Sequence, residues 1–344
     1  MPETLSSIGE FGLIDRIHRI IEQEGVRHSG VRLGIGDDAA SFRPQQGYEL
    51  LVTCDCIVEG RHYLSDAITP HDLGRRAMTL NISDIGAMGG CSLHALVSLG
   101  LKGETEVADI EAMYRGFLAE LNPLGADIIG GNLTKAVGAM FIDITLIGEV
   151  EEGLIVRRST AGVGDAILVT GYPGQSAAGL HLLLKEKPSR DLLNHPLVRQ
   201  YNTPSHRARE GRAVGLSGLA SAMIDTSDGF MGDLGHICDE SGVGAVLSQG
   251  ALPLSDALKS AARQLGKNSM DLFLGESDDY ELILTCPPEN VTSLQAAIAS
   301  VSDVPVHAVG RIAKRSEGIQ IELPDGTRRP MRTGGWDHFI DGGE

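Results

Sequence analysis

Repeatedly along this chain, a short apolar run ends in acidic or amide residues set among glycines. Residues 31–35 lead into Gly36-Asp37-Asp38, 49–54 into Asp55, 128–129 into Gly130-Gly131-Asn132, and 221–224 into Asp225-Thr-Ser-Asp228-Gly229. Apolar runs of this length are strand-like, and a carboxylate in a tight turn at a strand end stands above the sheet edge, where α/β folds bind ligands. Asp and Gly are also ordinary turn formers. Five carboxylates in the same kind of place point to a shared site rather than to five unrelated turns.

Between these runs lie helical patterns. Residues 7–24 read as a helix, with Ser7 and Glu10 at capping-box spacing and Phe11, Ile14, Ile17, Ile20 and Ile21 on one face. Thr69-Pro70 opens a second helix and Gly89-Gly90 closes it. A third covers about 106–122. Near residue 150 the pattern restarts: 166–170 is a strand, 175–185 a helix, 186–207 a polar loop or short helical excursion. Further strands at 221–224 and 281–286 flank helices near 229–241 and 255–265. Alternating strands and helices predict an α/β or α+β protein of two domains, 1–150 and 151–344.

Forty-six acidic residues against 29 Lys plus Arg give a formal net charge of −17. Nucleic acids and anionic membranes demand a basic surface, so neither is expected as a partner. Glycine, at 44 of 344 residues, is nearly twice its usual share and has no collagen-like period. Five cysteines form no CxxC pair, and no basic-then-apolar leader or membrane-length apolar run is visible. Reduced thiols in a cytoplasmic protein is the plain expectation.

Asp84 carries the sharpest chemical signal. In the helix over 72–88, Leu73, Ala77, Leu80, Asp84 and Ala87 share one face, so a carboxylate occupies an apolar position, with Asn81 one turn before it. A buried carboxylate is costly unless paired or metal-bound. Arg75 and Arg76 are the alternative partners. Oxygen ligands without a His/Cys cluster select Mg²⁺ or Ca²⁺ over zinc. Carboxylates among glycine turns fit Mg²⁺ bridging to a polyphosphate, although no P-loop sequence is present. Gly34-x-Gly36-x-x-Ala39 mimics a dinucleotide fingerprint, but Asp37 and Asp38 would face the pyrophosphate and Pro44 leaves little room for the helix. Gly171 to Gly174 before a helix is either an anion-binding helix start or an ordinary turn. His62 reads as a surface histidine in a polar turn. Ser227 lacks a nucleophile elbow, so metal or phosphate contact suits it better.

Taken in order, these segments resemble the thiamine-monophosphate kinase family. Those carrying the resemblance are Leu33-Gly-Ile-Gly-Asp-Asp38, Cys54-Asp55 with Val58-Glu-Gly-Arg-His62, Asn81-Ile-Ser-Asp84-Ile-Gly-Ala-Met-Gly89 and Ile224-Asp-Thr-Ser-Asp-Gly229. Gly174-Gln-Ser-Ala-Ala-Gly-Leu180, Asp279-Tyr-Glu281 and Trp336-Asp-His-Phe339 extend it over residues 9 to 339. The resemblance implies the two-domain aminoimidazole-ribonucleotide-synthetase-like (PurM-like) fold, with an N-terminal mixed sheet that pairs across a homodimer into a barrel. It implies transfer of the γ-phosphoryl of ATP to thiamine monophosphate. Carried over by position, Asp38, Thr53, Asp55, Asp84, Asn132, Asp225 and Asp228 would hold several Mg²⁺ ions, with Cys54 offering its main-chain oxygen. Gly131, Asn132, Arg158, Ser227 and Tyr114 would lie at ATP. His62, Asp278 and Trp336 would contact the thiamine phosphate. Asp38, Asp84, Asp228 and Arg158 would carry the chemistry.

Three departures stand out. Asn132 replaces a common aspartate, Glu276-Ser-Asp-Asp279 replaces Gly-Gly-Glu-Asp, and Cys54-Asp-Cys56 replaces a pair of hydroxyl residues. The rival readings are another ATP-using enzyme of the superfamily acting on a different small substrate, and a non-catalytic nucleotide-binding regulator. Selenophosphate synthetase has a reactive Cys or selenocysteine in an N-terminal glycine-rich loop, whereas the first cysteine here is Cys54.

Overall fold

A computed structural model of the chain describes residues 3–36 and 38–331. Asp37 and Trp336 therefore lie outside the described residues. The chain divides into two compact units, one of residues up to 85 with 90–153, the other of 86–89 with 154 onward.

The first unit contains α1 (Leu5–Glu24), β1 (Val31–Leu33), β2 (Ser41–Phe42), β3 (Tyr48–Val58), α2 (Pro70–Ala87, whose end is grouped with the second unit), β4 (Cys91–Leu101), α3 (Val107–Leu121), β5 (Asp127–Lys135) and β6 (Phe141–Glu151). Its main sheet has the order β3-β6-β4-β5, antiparallel except for the β4–β5 pair. Burial along β6 alternates residue by residue, as a sheet covered on one face requires. Leu51, Ile57, Ile142, Ile144, Leu146, Ala95, Val97 and Leu99 form the covered face, and Ile85 of α2 lies against it at Gly148. The other face stays open over much of β3, where Leu50 and Val52 are 42% and 66% exposed.

Two expectations change here. Asp55 was expected to end a strand, but β3 continues to Val58 because β6 offers partners along its whole length, from Tyr48↔Glu151 to Val58↔Phe141. Phe11 was expected on the buried stripe of α1 but is 80% exposed; Leu13, Ile17 and Ile20 are the buried residues. At about 100° per residue Phe11 stands about 120° round the helix from Ile17.

Tyr63 is a misfit within this unit. Its side chain is 2% exposed, and its hydroxyl is buried without a hydrogen-bond partner among the described residues. Burial, and secondarily Glu59, pushes the pKa of that hydroxyl upward. An unsatisfied buried hydroxyl contributes nothing that phenylalanine lacks. Tyr63→Phe is therefore expected to leave stability unchanged or raise it by up to about 1 kcal/mol, read as an equal or higher melting temperature. A clear fall in melting temperature would show that the hydroxyl holds a buried water.

The second unit contains β7 (Ala166–Thr170), α4 (Gln175–Lys185), α5 (Arg190–Leu193), α6 (Pro196–Asn202), α7 (Ala208–Ser217), β8 (Ala222–Asp225), α8 (Phe230–Ser241), β9 (Val243–Ser248), α9 (Asp256–Leu265), α10 (Ser269–Leu274), β10 (Leu282–Cys286), α11 (Val291–Ala299), β11 (Val306–Lys314), β12 (Ile319–Glu322) and β13 (Arg328–Pro330). Its seven-stranded mixed sheet has the order β13-β12-β9-β11-β7-β10-β8, with β12 and β9 parallel. These strands read as apolar runs because both faces of the sheet are covered: all of β10, and of β8 at its edge, is buried. The polar stretch 186–207 is a packed helical excursion, with Leu197, Val198 and Tyr201 buried. The sheet ends at β8, so Asp225 emerges at the terminus of an edge strand.

Candidate functional site

In the first unit, strand pairing decides which side chains meet. Thr53 and Asp55 alternate with exposed residues and so lie on the covered face of β3, beside Leu51 and Ile57. There they meet α2. Asn81, fully buried, accepts the Asp55 backbone N–H through Oδ1 at 3.2 Å and donates Nδ2 to the Ala77 carbonyl at 3.3 Å. Asp84 is half-buried and accepts the Thr53 hydroxyl. Arg75, one of its alternative partners, is instead bonded to Glu120 at 2.6 Å. Thr53, Asp55 and Asp84 thus converge, and Asn81 fixes the backbone on which Asp55 stands.

The register places Asn132 and Cys54 on the other face. Cys56 pairs with Asp143, Asp143 with Ser98, and Ser98 with Asn132, so these four side chains cross the open face in one line. Cys54 approaches Asp143 at 3.5 Å and Thr145 at 3.6 Å on the same face. Gly131 and Asn132 are exposed, side by side on β5.

Asp38 is exposed in the turn linking β1 to β2. That hairpin is held by a buried pair the sequence did not reveal. His94 Nδ1 lies 2.7 Å from Asp127, whose other oxygen accepts the His28 N–H at 2.9 Å. The His28 ring meets His94 edge-on and the Phe42 ring meets it tilted, with centroids at 5.1 and 4.6 Å. His62 caps the turn after β3: its Nδ1 accepts the Val58 N–H at 3.0 Å, so the neutral ring carries its proton on Nε2. Tyr114 is 4% exposed and packs edge-on against Phe117, a core position in this unit.

The second unit holds the other carboxylates. Asp225 is 5% exposed at the end of β8, Thr226 is fully buried, Ser227 is exposed and Asp228 half-buried. Asp233, in the first turn of α8, accepts the N–H groups of Asp228 and Gly229 at 3.2 and 3.1 Å. Ligand atoms of Asp228, Asp233 and His236 lie within 4.8 Å of one another. Burial, and then the charges of Asp225 and Asp228, pushes the Asp233 carboxyl up to about 8. Sequence reasoning missed Asp233, whose signal was an acidic residue in a first helical turn right after the Asp-Gly turn. Arg158 is exposed on a segment running beside β8, where the Met223 N–H reaches the Arg157 carbonyl at 3.2 Å.

The start of α4 is filled from within. Asp279 accepts the N–H groups of Gly174 and Ser176 at 2.5 and 2.8 Å, and Ser277 accepts that of Ala177 at 3.1 Å. An anion-binding helix start at 171–174, one of the two sequence readings, is therefore excluded, because the protein's own carboxylate occupies it. Burial raises that carboxyl to about 6 despite three hydrogen bonds. Ser277, a departure from the expected glycine, donates to Asp279 at 2.6 Å and so strengthens this cap. Asp278 faces outward, half-buried, and accepts the Ser176 hydroxyl at 2.5 Å.

The N-terminal domain of AIR synthase related protein matches residues 36–150, and its C-terminal domain matches 162–322. Thiamine-monophosphate kinase of Salmonella typhimurium is 35% identical over 332 residues, covering 96% of this chain and 98% of the relative. The chain belongs to the thiamine-monophosphate kinase family. The Bacillus subtilis member is 33% identical over 329 residues, covering 94% and 98%. Among solved structures, the thiamine-monophosphate kinase from Stenotrophomonas maltophilia K279a aligns with TM-score 0.79 at 32% identity, over 93% of this chain and 97% of that one. AaThiL complexed with AMPPCP and TMP aligns with TM-score 0.74 at 32% identity, over 97% and 98%. Hydrogenase maturation protein HypE, at 18% identity and TM-score 0.75 over 94% and 98%, shares the fold.

Proposed function

We propose that this protein transfers the γ-phosphoryl group of ATP onto the phosphate of thiamine monophosphate, forming thiamine diphosphate. The observation that carries the reading is near-full-length identity to the kinases of this family, including the one solved with AMPPCP and TMP. Another small substrate is the weaker reading, because identity to thiamine-monophosphate kinases is 33–35% over nearly the whole chain, against 18% to HypE, which shares the fold alone.

The donor set fits Mg²⁺. Asp38, Thr53, Asp55, Asp84, Asp225 and Asp228 offer only hard oxygen atoms, and in the second unit the charges of Asp225 and Asp228 add to the burial that raises Asp233, a carboxylate array that a cation would relieve. We assign Mg²⁺ ions to the donors of each unit, Asp38, Thr53, Asp55, Asp84 and the Cys54 carbonyl in the first and Asp225 and Asp228 in the second, with Asn132 offering an amide oxygen on the opposite face of the first sheet. Bound there, Mg²⁺ would neutralise charge on the polyphosphate. Asn81 and Thr53 hold Asp55 and Asp84 in place for it.

The acceptor phosphate, with a second pKa of about 6, is largely deprotonated at neutral pH, so no protein base is required. Phosphoryl transfer then depends on alignment and on charge. Arg158 is assigned as a positive charge for the transferring group, Gly131 and Ser227 as contacts of ATP, the Nε2–H of His62 as a donor for the acceptor phosphate, and Asp278 and Trp336 as contacts of the thiamine phosphate. Transfer is direct and in line, without a phosphoenzyme.

We assign the open face of the first sheet, with exposed Leu50 and Val52, to a homodimer contact. Five free cysteines and no helix long and apolar enough to cross a membrane among the described residues support a cytoplasmic setting.

Purified protein with Mg-ATP and thiamine monophosphate should yield thiamine diphosphate by chromatography, and EDTA should abolish it. Free thiamine should yield none. Product from thiamine alone, ATP use independent of the monophosphate, or a trapped phosphorylated protein would overturn the reading.

A further inference from the structure

Arg207 precedes α7 and belongs to none of the residue sets assigned to Mg²⁺, ATP or the thiamine phosphate. Its guanidinium is turned into the second unit, 16% exposed, and grips Glu281 with two bonds: Nε to Oε2 at 2.7 Å and Nη2 to Oε1 at 2.6 Å. The Glu281 carboxylate is 4% exposed and also accepts the Thr170 hydroxyl at 2.5 Å. This fork-to-carboxylate geometry fixes direction as well as distance. Burial alone would lower the Arg207 pKa, but the charge and hydrogen bonds of Glu281 hold it above its usual value.

What this pair holds is the aspartate loop. The Glu281 N–H donates to the Thr226 hydroxyl at 3.0 Å, the Thr226 N–H donates to the Glu281 carbonyl at 2.7 Å, and the Tyr280 N–H donates to the Thr226 carbonyl at 2.9 Å. Thr226 follows Asp225 directly and stands two residues before Asp228. Tyr280 has φ 54°, the left-handed region, and is the non-glycine residue with positive φ among the described residues. A bulky side chain stays there only where its surroundings over-determine the conformation. That turn sends Asp279 inward to cap α4 and leaves Asp278 facing outward. A buried ion pair adds little stability over a well-packed apolar replacement, so its place against Thr226 calls for a role beyond stability.

We propose that Arg207 is a positioning residue: through Glu281 it holds Thr226, and hence Asp225 and Asp228, in the arrangement that binds Mg²⁺. The proposal rests on the reading that Asp225 and Asp228 bind that ion.

The test uses the full chain with Arg207→Lys and Glu281→Gln, and Leu294→Ala as a control. Leu294 is fully buried in the core of the same unit, in one cluster with Leu282 and Met223, so its truncation destabilises that core without removing a hydrogen bond of the loop. Two quantities are read. One is amide hydrogen exchange in metal-free protein over 225–229 and 279–282; the other is the Mg²⁺ concentration that half-saturates ATP turnover. Arg207→Lys and Glu281→Gln should speed exchange in both segments and raise half-saturating Mg²⁺ about tenfold, as loss of a residue supporting a metal ligand does. Leu294→Ala should leave half-saturating Mg²⁺ unchanged, because it removes core packing and no bond to the loop. Activity lost only in proportion to unfolded protein, with both quantities unchanged, would overturn the proposal. Asp228→Asn separates the two readings. If it shifts half-saturating Mg²⁺ and Arg207→Lys does not, the metal reading stands and the role of Arg207 fails. If Asp228→Asn leaves it unchanged, the metal reading fails and the proposal with it.

Discussion

Asp84→Asn should lower turnover of ATP with thiamine monophosphate about a thousandfold, roughly 4 kcal/mol in the barrier, with the fold intact. The fold should survive because the asparagine amide oxygen can still accept the Thr53 hydroxyl, and because Asp84 is only half-buried, so no void opens. Activity should fail because one negative charge is removed from the set formed with Asp55, where charge neutralisation of two phosphates is the main task. The comparison is kcat at saturating Mg²⁺ for the two proteins, with melting temperatures alongside. A variant within tenfold of the parent would mean that Asp84 is a structural partner of Thr53 and nothing more.

Gly116→Ala should be strongly damaging to the first unit. In an unconstrained helix, alanine would be favoured over glycine by about 1 kcal/mol. Here a Cβ on Gly116 would fall 2.1 Å from the His71 carbonyl oxygen and 3.1 Å from the Gly74 Cα, while one on Gly74 would fall 2.1 Å from the Met113 carbonyl oxygen. The two glycines let α2 and α3 approach backbone to backbone, and main chain cannot swing aside as a side chain can. The helices must part, so the sign reverses, to a loss of about 3 kcal/mol or more. Because α2 carries Asn81 and Asp84, separation also moves the residues that hold Asp55. A lower melting temperature together with reduced activity in the fraction still folded is the expected pair of results; an unchanged or higher melting temperature would refute the close approach.

Much of this was legible before any fold was known. Helix limits marked by proline and glycine, as in α2, depend on backbone chemistry within a few residues. The ends of β7 and α4 read the same way. Asp84 betrayed itself by a polar residue on an apolar stripe, and the structure refines this: it stands at the margin of the buried surface, where a carboxylate can both accept the Thr53 hydroxyl and remain partly exposed. What failed depended on partners distant in sequence. Asp55 looked like a strand end because nothing local shows that β6 offers β3 eleven paired residues. The glycine turn before α4 looked ready for an anion because Asp279, more than a hundred residues away, fills it.

The sequence by itself determined the chemistry available: oxygen donors rather than sulfur or imidazole clusters, turns that only glycine makes easily, and an acidic balance suited to hard cations. Tertiary structure alone decided which donors meet. Register put Thr53 and Asp55 on the face that α2 covers, and placed Asn132 on the opposite face, since side chains alternate with period two and a strand's facing is set by its neighbours. It also joined Arg207 to Glu281 and Glu281 to Thr226, because an ion pair is made in space and leaves no periodic trace along the chain.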